Sequence, residues 1–163
     1  TPMDRNLEVE PAWLTPLLHR IRKAAAAVSG EVVGCTLEEV AQLERRYGVV
    51  LPHDYKAVLL AIGRRADGFL DPNEFDFYYE QLLELTRSVR EDSACEGLQD
   101  LYPTLPPTAF FVRGRYFEHF ELILYTGQTD PPVHYFNVED RVLVPAYPSI
   151  AVWLETLCND ELS

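Results

Sequence analysis

Cysteine and histidine are scarce in this sequence. The 163 residues include four histidines and three cysteines, Cys35, Cys95 and Cys158. The cysteines are odd in number and far apart, which favours free thiols in a reducing compartment over a disulfide framework. No pair of them has the spacing of a metal site. We therefore expect a cytoplasmic protein with no metal and no cofactor.

The chain also lacks a long apolar segment. A membrane-spanning helix needs about 20 consecutive apolar residues, and no stretch of this sequence approaches that length. The first ten residues, TPMDRNLEVE, do not contain a basic region followed by an apolar one, which is the pattern of a secretory signal. We expect neither a membrane anchor nor a signal peptide.

Signatures of common enzyme classes are missing as well. There is no glycine-rich phosphate loop, no Gly-x-Ser-x-Gly motif and no His-Glu-x-x-His motif. His119, Glu121 and His134 could form a metal site across neighbouring strands, but lone strand histidines are far more often structural. Cys35 and Cys158 have no identifiable histidine partner that would activate a thiol. The sequence thus favours a protein that is not an enzyme and has no catalytic residues.

Positive charge is in short supply. The chain has 14 lysines and arginines against 26 acidic residues, which gives a net charge of −12. The imbalance is steepest in residues 71–100, where nine acidic residues and two arginines give a net charge of −7. Such a chain repels nucleic acid and anionic membranes and attracts basic proteins. Solubility alone explains an acidic surface equally well.

Apolar residues, in contrast, are plentiful. They make up 47% of the sequence, and aromatic residues make up 12%. This composition is typical of a folded globular protein and not of a disordered chain. The length predicts one domain over residues 1–163, with an N-terminal arm and helix in residues 1–33 and the core in residues 34–163.

The most informative stretch is residues 36–62, which predicts two helices joined by a tight corner. Thr36 and Glu39 have the spacing of a capping box, in which each side chain binds a free backbone N–H of the other residue. Gly48 follows the first helix, where a left-handed conformation costs glycine little. Pro52 is suited to start the second helix because its missing N–H is not needed there.

This stretch resembles the SUKH superfamily, which includes relatives of the yeast cell-wall assembly regulator, the Syd protein and many bacterial immunity proteins. The matching residues are Thr36, Glu39, Leu43, Glu44, Tyr47, Gly48, Leu51, Pro52, Asp54, Tyr55, Lys56 and Leu59. The family often continues with Asn-Gly-Gly after the second helix. This chain has Gly63 and Arg64 there, so we expect the following loop to be built differently.

The resemblance implies a SUKH-like fold and a role in protein–protein interaction. For a compact bacterial member it implies an immunity protein that binds and neutralises a cognate toxin of a polymorphic toxin system, often a nuclease. The alternative it implies is a non-enzymatic regulatory scaffold of the cell-wall assembly regulator type.

Helical periodicity predicts three further helices. The first begins with Thr15 as its cap and Pro16 as its first residue, the second spans residues 80–90, and the last is capped by Ser149. The residues predicted to be buried on these helices are Leu17, Leu18, Ile21, Ala25, Val28, Leu82, Leu83, Thr86, Val89, Ile150, Trp153, Leu154 and Leu157.

Aromatic and β-branched residues predict strands in the second half. The predicted strands lie within residues 75–79, 109–117, 120–127, 132–136 and 141–145. Short turns between the last four, the first of them at Glu118 and His119, favour an antiparallel meander. Residues 91–107 are predicted to be a loop. Because helices come first and strands later, we predict an α+β fold, with a twisted, mainly antiparallel sheet packed against the N-terminal and flanking helices.

Acidic and aromatic residues alternate in the segment 71–84, which is our candidate for the binding face. Strand alternation predicts that Tyr78 is exposed among carboxylates, where it would anchor a cationic partner. The residues predicted to bind the toxin are Asp71, Glu74, Asp76, Tyr78, Glu80 and Glu84. We expect a basic toxin as the partner, with the loop around Arg64 as the next candidate surface. The sequence does not indicate an oligomeric state.

Overall fold

The computed structural model describes residues 10–91 and 97–162. The helices in these ranges are α1 (Leu14–Ala27), α2 (Leu37–Tyr47), α3 (His53–Ile62), α4 (Tyr79–Glu91), α5 (Leu98–Leu101) and α6 (Ile150–Glu161), and a 3-10 helix covers Tyr102–Thr104. The strands are β1 (Val32–Val33), β2 (Arg65–Ala66), β3 (Phe75–Asp76), β4 (Phe110–Arg115), β5 (His119–Ile123), β6 (Val133–Asn137) and β7 (Val142–Tyr147). Most of the predicted N-terminal arm, Cys95 and the side chain of Thr86 lie outside the described residues.

The predicted α+β fold and its antiparallel sheet are confirmed. Strands β3 to β7 form one sheet in chain order, and each neighbouring pair is antiparallel. Strands β1 and β2 form a separate antiparallel ribbon. Among the described helices, none has the length and apolar character needed to cross a bilayer.

The helix–corner–helix is built as the sequence predicts. Thr36 accepts a hydrogen bond from the N–H of Glu39 (3.1 Å), and the Glu39 carboxylate accepts one from the N–H of Thr36 (2.9 Å). Gly48 ends α2 in the left-handed conformation, with φ of +64°. Pro52 precedes the first residue of α3, and Gly63 follows its last. The capping box and the left-handed glycine are therefore confirmed. The sequence predicts Pro52 as the first helical residue, but Pro52 is the N-cap, and α3 begins one residue later at His53.

The start of α1 differs from the prediction. The helix begins at Leu14, so Thr15 lies inside it and does not cap it. The Leu14 side chain is fully buried, and the Trp13 indole N–H donates to the Asp54 carboxylate (3.0 Å). These two contacts hold the first turn against the body of the protein, so the helix begins two residues earlier than predicted. At the other end, Val28 is 58% exposed, so its predicted burial is wrong.

The strand predicted at residues 75–79 is also shorter than expected. Only Phe75 and Asp76 pair with β4, and α4 already begins at Tyr79. The side-chain oxygen of Gln81 accepts hydrogen bonds from the N–H groups of Phe77 (3.2 Å) and Tyr78 (3.3 Å). These N–H groups are therefore used in starting the helix, and the alternation of a strand stops after Asp76.

Trp153 lies at the centre of the core, as its predicted burial requires. Its side chain is fully buried, with ring centroids 6.2 Å from Tyr55 and 6.0 Å from Phe77. The Tyr55 ring also lies 5.8 Å from Phe110 of β4, and the Trp153 indole N–H donates to Glu121 of β5, so α3 and α6 pack against one face of the sheet. On the other face α4 comes so close to β4 that a Cβ added at Gly114 would be 3.3 Å from the Leu85 side chain. Helices therefore cover both faces of the sheet.

The outer strand of the sheet, β7, contains a proline. Val138 donates its N–H to Glu118 beside β5 (2.9 Å). The backbone groups of successive residues in a strand point alternately to its two sides. Because Val138 points towards β5, Tyr135, three residues earlier, points towards β7. Its partner Val144 in β7 therefore points back towards β6. The next residue, Pro145, therefore has its nitrogen at the outer edge, where prolines in sheets are commonly found.

Candidate protein-binding surface

A surface groove with a volume of about 680 Å³ lies between the loop after α3 and the start of α4. We call it the acidic groove. Its lining residues are Arg64, Arg65, Ala66, Asp67, Gly68, Phe69, Leu70, Asp71, Pro72, Tyr78, Glu80, Gln81 and Glu161. It therefore combines one loop, the first turn of α4 and the end of α6.

The β1–β2 ribbon holds one side of the groove loop in place. Ala66 pairs with Val32 in the ribbon. Asp67 donates its N–H to the Glu31 carbonyl (3.0 Å), and its carboxylate accepts the Glu31 N–H (2.8 Å). Gly68 follows with φ of +82°, and a Cβ there would lie 3.0 Å from a carbonyl oxygen of α1. Only glycine combines this backbone conformation with this close approach.

The other side of the loop is fixed by buried side chains. Leu70 has φ of +42°, which is unfavourable for a branched residue, but its side chain is only 2% exposed. The Tyr78 hydroxyl donates to the Phe69 carbonyl (2.5 Å), and the Gln81 amide donates to the Pro72 carbonyl (2.7 Å). The loop is therefore held in a defined and locally strained shape.

Both arginines of the acidic groove are paired within the protein. Arg64 lies between the carboxylates of Glu39 (3.2 Å) and Glu80 (3.4 Å). Arg65 binds Asp67 at 2.8 Å. The hydrogen bond from Arg65 lowers the pKa of the Asp67 carboxyl below its ordinary value. These arginines position the loop and offset part of its negative charge.

Negative charge remains in excess around the groove. Its lining includes four carboxylates, on Asp67, Asp71, Glu80 and Glu161, against the two guanidinium groups. Asp71, Glu80 and Glu161 are exposed to solvent. The surface can therefore attract a cationic group, and its exposed carboxylates can accept hydrogen bonds from it.

The groove brings together three of the six predicted binding residues. Asp71 and Glu80 lie on its rim, and Tyr78 lies in its wall. The other three are placed elsewhere. Glu74 forms an ion pair with Arg115, Glu84 forms ion pairs with Arg46 and Arg87, and Asp76 is half-buried beside Gly114.

The expected exposure of Tyr78 is wrong. Its side chain is only 6% exposed, and its hydroxyl lies within hydrogen-bond distance of the carbonyls of Phe69 (2.5 Å) and Ala66 (3.2 Å). Burial raises the pKa of the Tyr78 hydroxyl well above its ordinary value. The strand alternation behind the prediction ends at Asp76, so Tyr78 supports the groove from inside and is not a surface anchor.

The metal site considered for His119, Glu121 and His134 does not form. His134 is opposite Leu122 in the β5–β6 ladder. Neighbouring residues of a strand point to opposite faces, so the side chains of Glu121 and His134 lie on opposite faces of the sheet. Glu121 is buried and accepts the Trp153 indole N–H (3.0 Å). Within residues 10–91 and 97–162, there is no group of three histidine, cysteine or acidic residues arranged to hold a metal.

The two described cysteines, Cys35 and Cys158, are buried free thiols. Burial raises the pKa of Cys35 to about 12 and that of Cys158 to about 11. The reactive form of cysteine is the thiolate, which is disfavoured at neutral pH by such values. Both thiols are therefore poorly suited to nucleophilic chemistry.

Two exposed aromatic residues were missed by the sequence interpretation. The turn between β4 and β5 was predicted at Glu118 and His119, but His119 already belongs to β5. The N–H of Glu118 donates to the Arg115 carbonyl (3.0 Å), which centres the turn on Tyr116 and Phe117. Hairpin turns whose two central residues both have positive φ, as Tyr116 and Phe117 do, usually carry Asn-Gly or similar pairs. No such signal marks this turn in the sequence.

A comparison with known families matches most of this chain. The model of the SMI1 / KNR4 family (SUKH-1) matches residues 34–156. The match begins two residues before the capping box of α2 and ends within α6, so it includes the acidic groove loop and the whole meander. The resemblance seen in residues 36–62 is thereby confirmed. No relative was found among curated proteins.

Proposed function

From the premise that the chain belongs to the SMI1 / KNR4 family (SUKH-1), we propose that it is an immunity protein. It binds a cognate toxin and neutralises it by protein–protein interaction. The superfamily contains immunity proteins and cell-wall assembly regulators, and both roles depend on binding other proteins. The toxin is a basic protein, of the kind that binds nucleic acid.

The excess of carboxylates in the acidic groove is the observation that carries this proposal. A chain with a net charge of −12 draws a basic protein towards it from a distance. At close range, Asp71 and Glu161 are exposed carboxylates that line the same groove. A lysine or arginine of the toxin can enter between them and form charge-assisted hydrogen bonds.

The fixed shape of the groove loop supports the same proposal. The loop is held by the ribbon on one side and by Tyr78 and Gln81 on the other. A surface that is already ordered loses less conformational entropy when it binds. Neutralisation then requires only that the bound immunity protein covers the toxin's own site, with no chemical step.

Co-expression with a toxin candidate, a basic protein encoded beside the gene of this chain, tests the proposed function. Cells that express this toxin alone should stop growing, and cells that also express the present chain should grow. A regulatory scaffold, the alternative considered from the sequence, would not restore growth. Failure of protection together with failure to bind the purified toxin would overturn the immunity role.

Binding kinetics test the part assigned to the acidic groove. The double variant Asp71→Lys/Glu80→Lys should slow association with the toxin by about tenfold, because it reverses two rim charges. Its control, Glu10→Lys/Glu155→Lys, makes the same change of net charge at exposed residues outside the groove. The difference should shrink as salt rises to physiological strength, where the Debye length is about 8 Å. Equal slowing in both variants would mean that only net charge matters.

A further inference from the structure

The turn between β4 and β5 holds two aromatic residues in an unfavourable backbone conformation. Tyr116 and Phe117 both have φ of +54°. A left-handed conformation costs a non-glycine residue about 1–2 kcal/mol, and hairpin turns of this kind select asparagine and glycine for that reason. Strain of this sort persists at sites where the residues serve a purpose other than stability.

The same two side chains are displayed to solvent. Tyr116 is 59% exposed and Phe117 is 40% exposed. The Arg115 guanidinium lies 5.3 Å from the centroid of the Tyr116 ring and is also paired with Glu74. We call residues 115–118 the aromatic tip. Tyrosine and arginine are the residue types that most often carry the binding energy of protein interfaces.

The aromatic tip adjoins the acidic groove. Arg115 pairs with Phe75 across β3 and β4, so the turn at residues 71–74 lies at the same end of the sheet as the aromatic tip. Asp71, on the groove rim, accepts the N–H groups of Glu74 (3.0 Å) and Phe75 (2.8 Å) through its carbonyl. The ion pair between Glu74 and Arg115 then connects this turn to the tip. The groove rim and the tip are therefore linked through the turn at residues 71–74.

We propose that the aromatic tip is the apolar anchor of the toxin interface, with Tyr116 inserted into an apolar pocket of the same basic toxin that occupies the acidic groove. This inference rests on the proposed function. The groove supplies attraction over distance, and the tip supplies the contact that keeps the complex together. The exposed carboxylate of Glu118, also in the tip, then faces a basic residue at the rim of that pocket.

Tyr116→Asn is the deciding variant, because its effects on folding and on binding have opposite signs. Asparagine tolerates the left-handed conformation, so the thermal unfolding midpoint should rise by about 2 °C. Dissociation from the same toxin candidate should become at least about tenfold faster, as expected for the loss of a buried anchor. Association should change little, since no charge is altered.

Tyr125→Asn is the matched control. Tyr125 is 63% exposed and follows the opposite end of β5 from the aromatic tip. The same substitution there should leave both the association and the dissociation rates unchanged. If both variants speed dissociation equally, the effect is not specific to the tip and the inference is wrong.

The remaining outcomes separate the two proposals. A lower unfolding midpoint in Tyr116→Asn would mean that the tyrosine supports the fold, which overturns the anchor. If the native protein binds the toxin and protects cells, and Tyr116→Asn dissociates from the toxin at the native rate, the anchor proposal alone is wrong. If the native protein does not bind the toxin, both proposals fail together. A change in the self-association of Tyr116→Asn with unaltered toxin affinity would assign the tip to a second copy of the chain.

Discussion

The corner between α2 and α3 and the turn between β4 and β5 both need left-handed residues, and they fill that need in opposite ways. The corner uses Gly48, with φ of +64° and no atom within 4 Å of where a Cβ would be. The hairpin turn uses Tyr116 and Phe117, both with φ of +54°. The first choice is the one that stability favours, and the second is not.

This difference separates the residues that specify the fold from those that we assign to binding. At the corner, the capping box, the glycine and the proline all favour the same structure, which is the agreement of local signals expected of a region that directs folding. At the aromatic tip, the local preference of the residues conflicts with the structure they adopt. Such conflicts are expected where function has selected the residues.

The largest expected effect tests how tightly the corner region is built. Gly34 lies beside α3, and a Cβ there would overlap the carbonyl oxygen of Leu60. Gly34→Ala should therefore destabilise the protein by about 4 kcal/mol, because backbone atoms must move to relieve the clash. Urea unfolding monitored by tryptophan fluorescence measures the loss. A midpoint equal to that of the native protein would show that the region is more loosely packed than described.

A smaller loss is expected at Gly48, and it addresses the comparison directly. Gly48→Ala creates no clash, so its cost is that of the left-handed backbone alone, about 1–2 kcal/mol. Gly48→Asn should lose less, because asparagine tolerates this conformation. The comparison requires stability changes of opposite sign. Replacing Gly48 should lower the stability, and replacing Tyr116 by asparagine should raise it. Stability changes of the same sign at Gly48 and Tyr116 would contradict the proposed difference between the corner and the hairpin turn.

The capping box gives the next effect. Thr36→Ala removes the acceptor for the Glu39 N–H and should cost about 1 kcal/mol. Thr36→Ser, which keeps the hydroxyl, serves as the control and should cost less. Denaturant titration of the two variants at one pH measures the difference. Equal losses would mean that the methyl group of Thr36, and not its hydroxyl, stabilises the helix start.

The smallest effect concerns Asp76, which lies near the aromatic tip and is also poorly matched to its surroundings. Burial raises the pKa of its carboxyl. The folded state therefore binds this proton more tightly than the unfolded chain does. The residue's contribution to stability is present below the ordinary aspartate pKa and is lost as the pH rises through the raised value.

Asp76→Asn cannot titrate, so it should gain stability relative to the native protein across that pH window and keep a constant advantage above it. Urea midpoints of the two proteins from about pH 3 to about pH 7 measure this. Midpoints that move in parallel would show that Asp76 does not titrate differently in the folded protein.

The sequence predicts the fold well where local signals agree. Thr36 with Glu39 and Gly48 define α2 through interactions between near neighbours in the chain, which is why they can be read without a structure. The start of α1 was missed because Trp13 is held by Asp54, 41 residues away. No local pattern contains that contact.

The candidate site was harder to predict for the same reason. Alternation was extended through Tyr78, but Gln81 takes up the N–H groups of residues 77 and 78 and starts a helix there. The aromatic tip carries no local signal, because its turn conformation contradicts the preference of Tyr116 and Phe117. Asp71 and Glu80 line the same groove, and their part in binding a toxin stays a prediction.

Pro145 has a consequence for the way this protein can meet other copies of itself. An outer strand normally offers a row of free N–H and C=O groups, on which an identical strand can assemble and extend the sheet indefinitely. The proline nitrogen at the outer edge of β7 has no hydrogen to offer and interrupts that row. This interruption limits edge-to-edge pairing beside the exposed valines Val142 and Val144, which would otherwise favour aggregation.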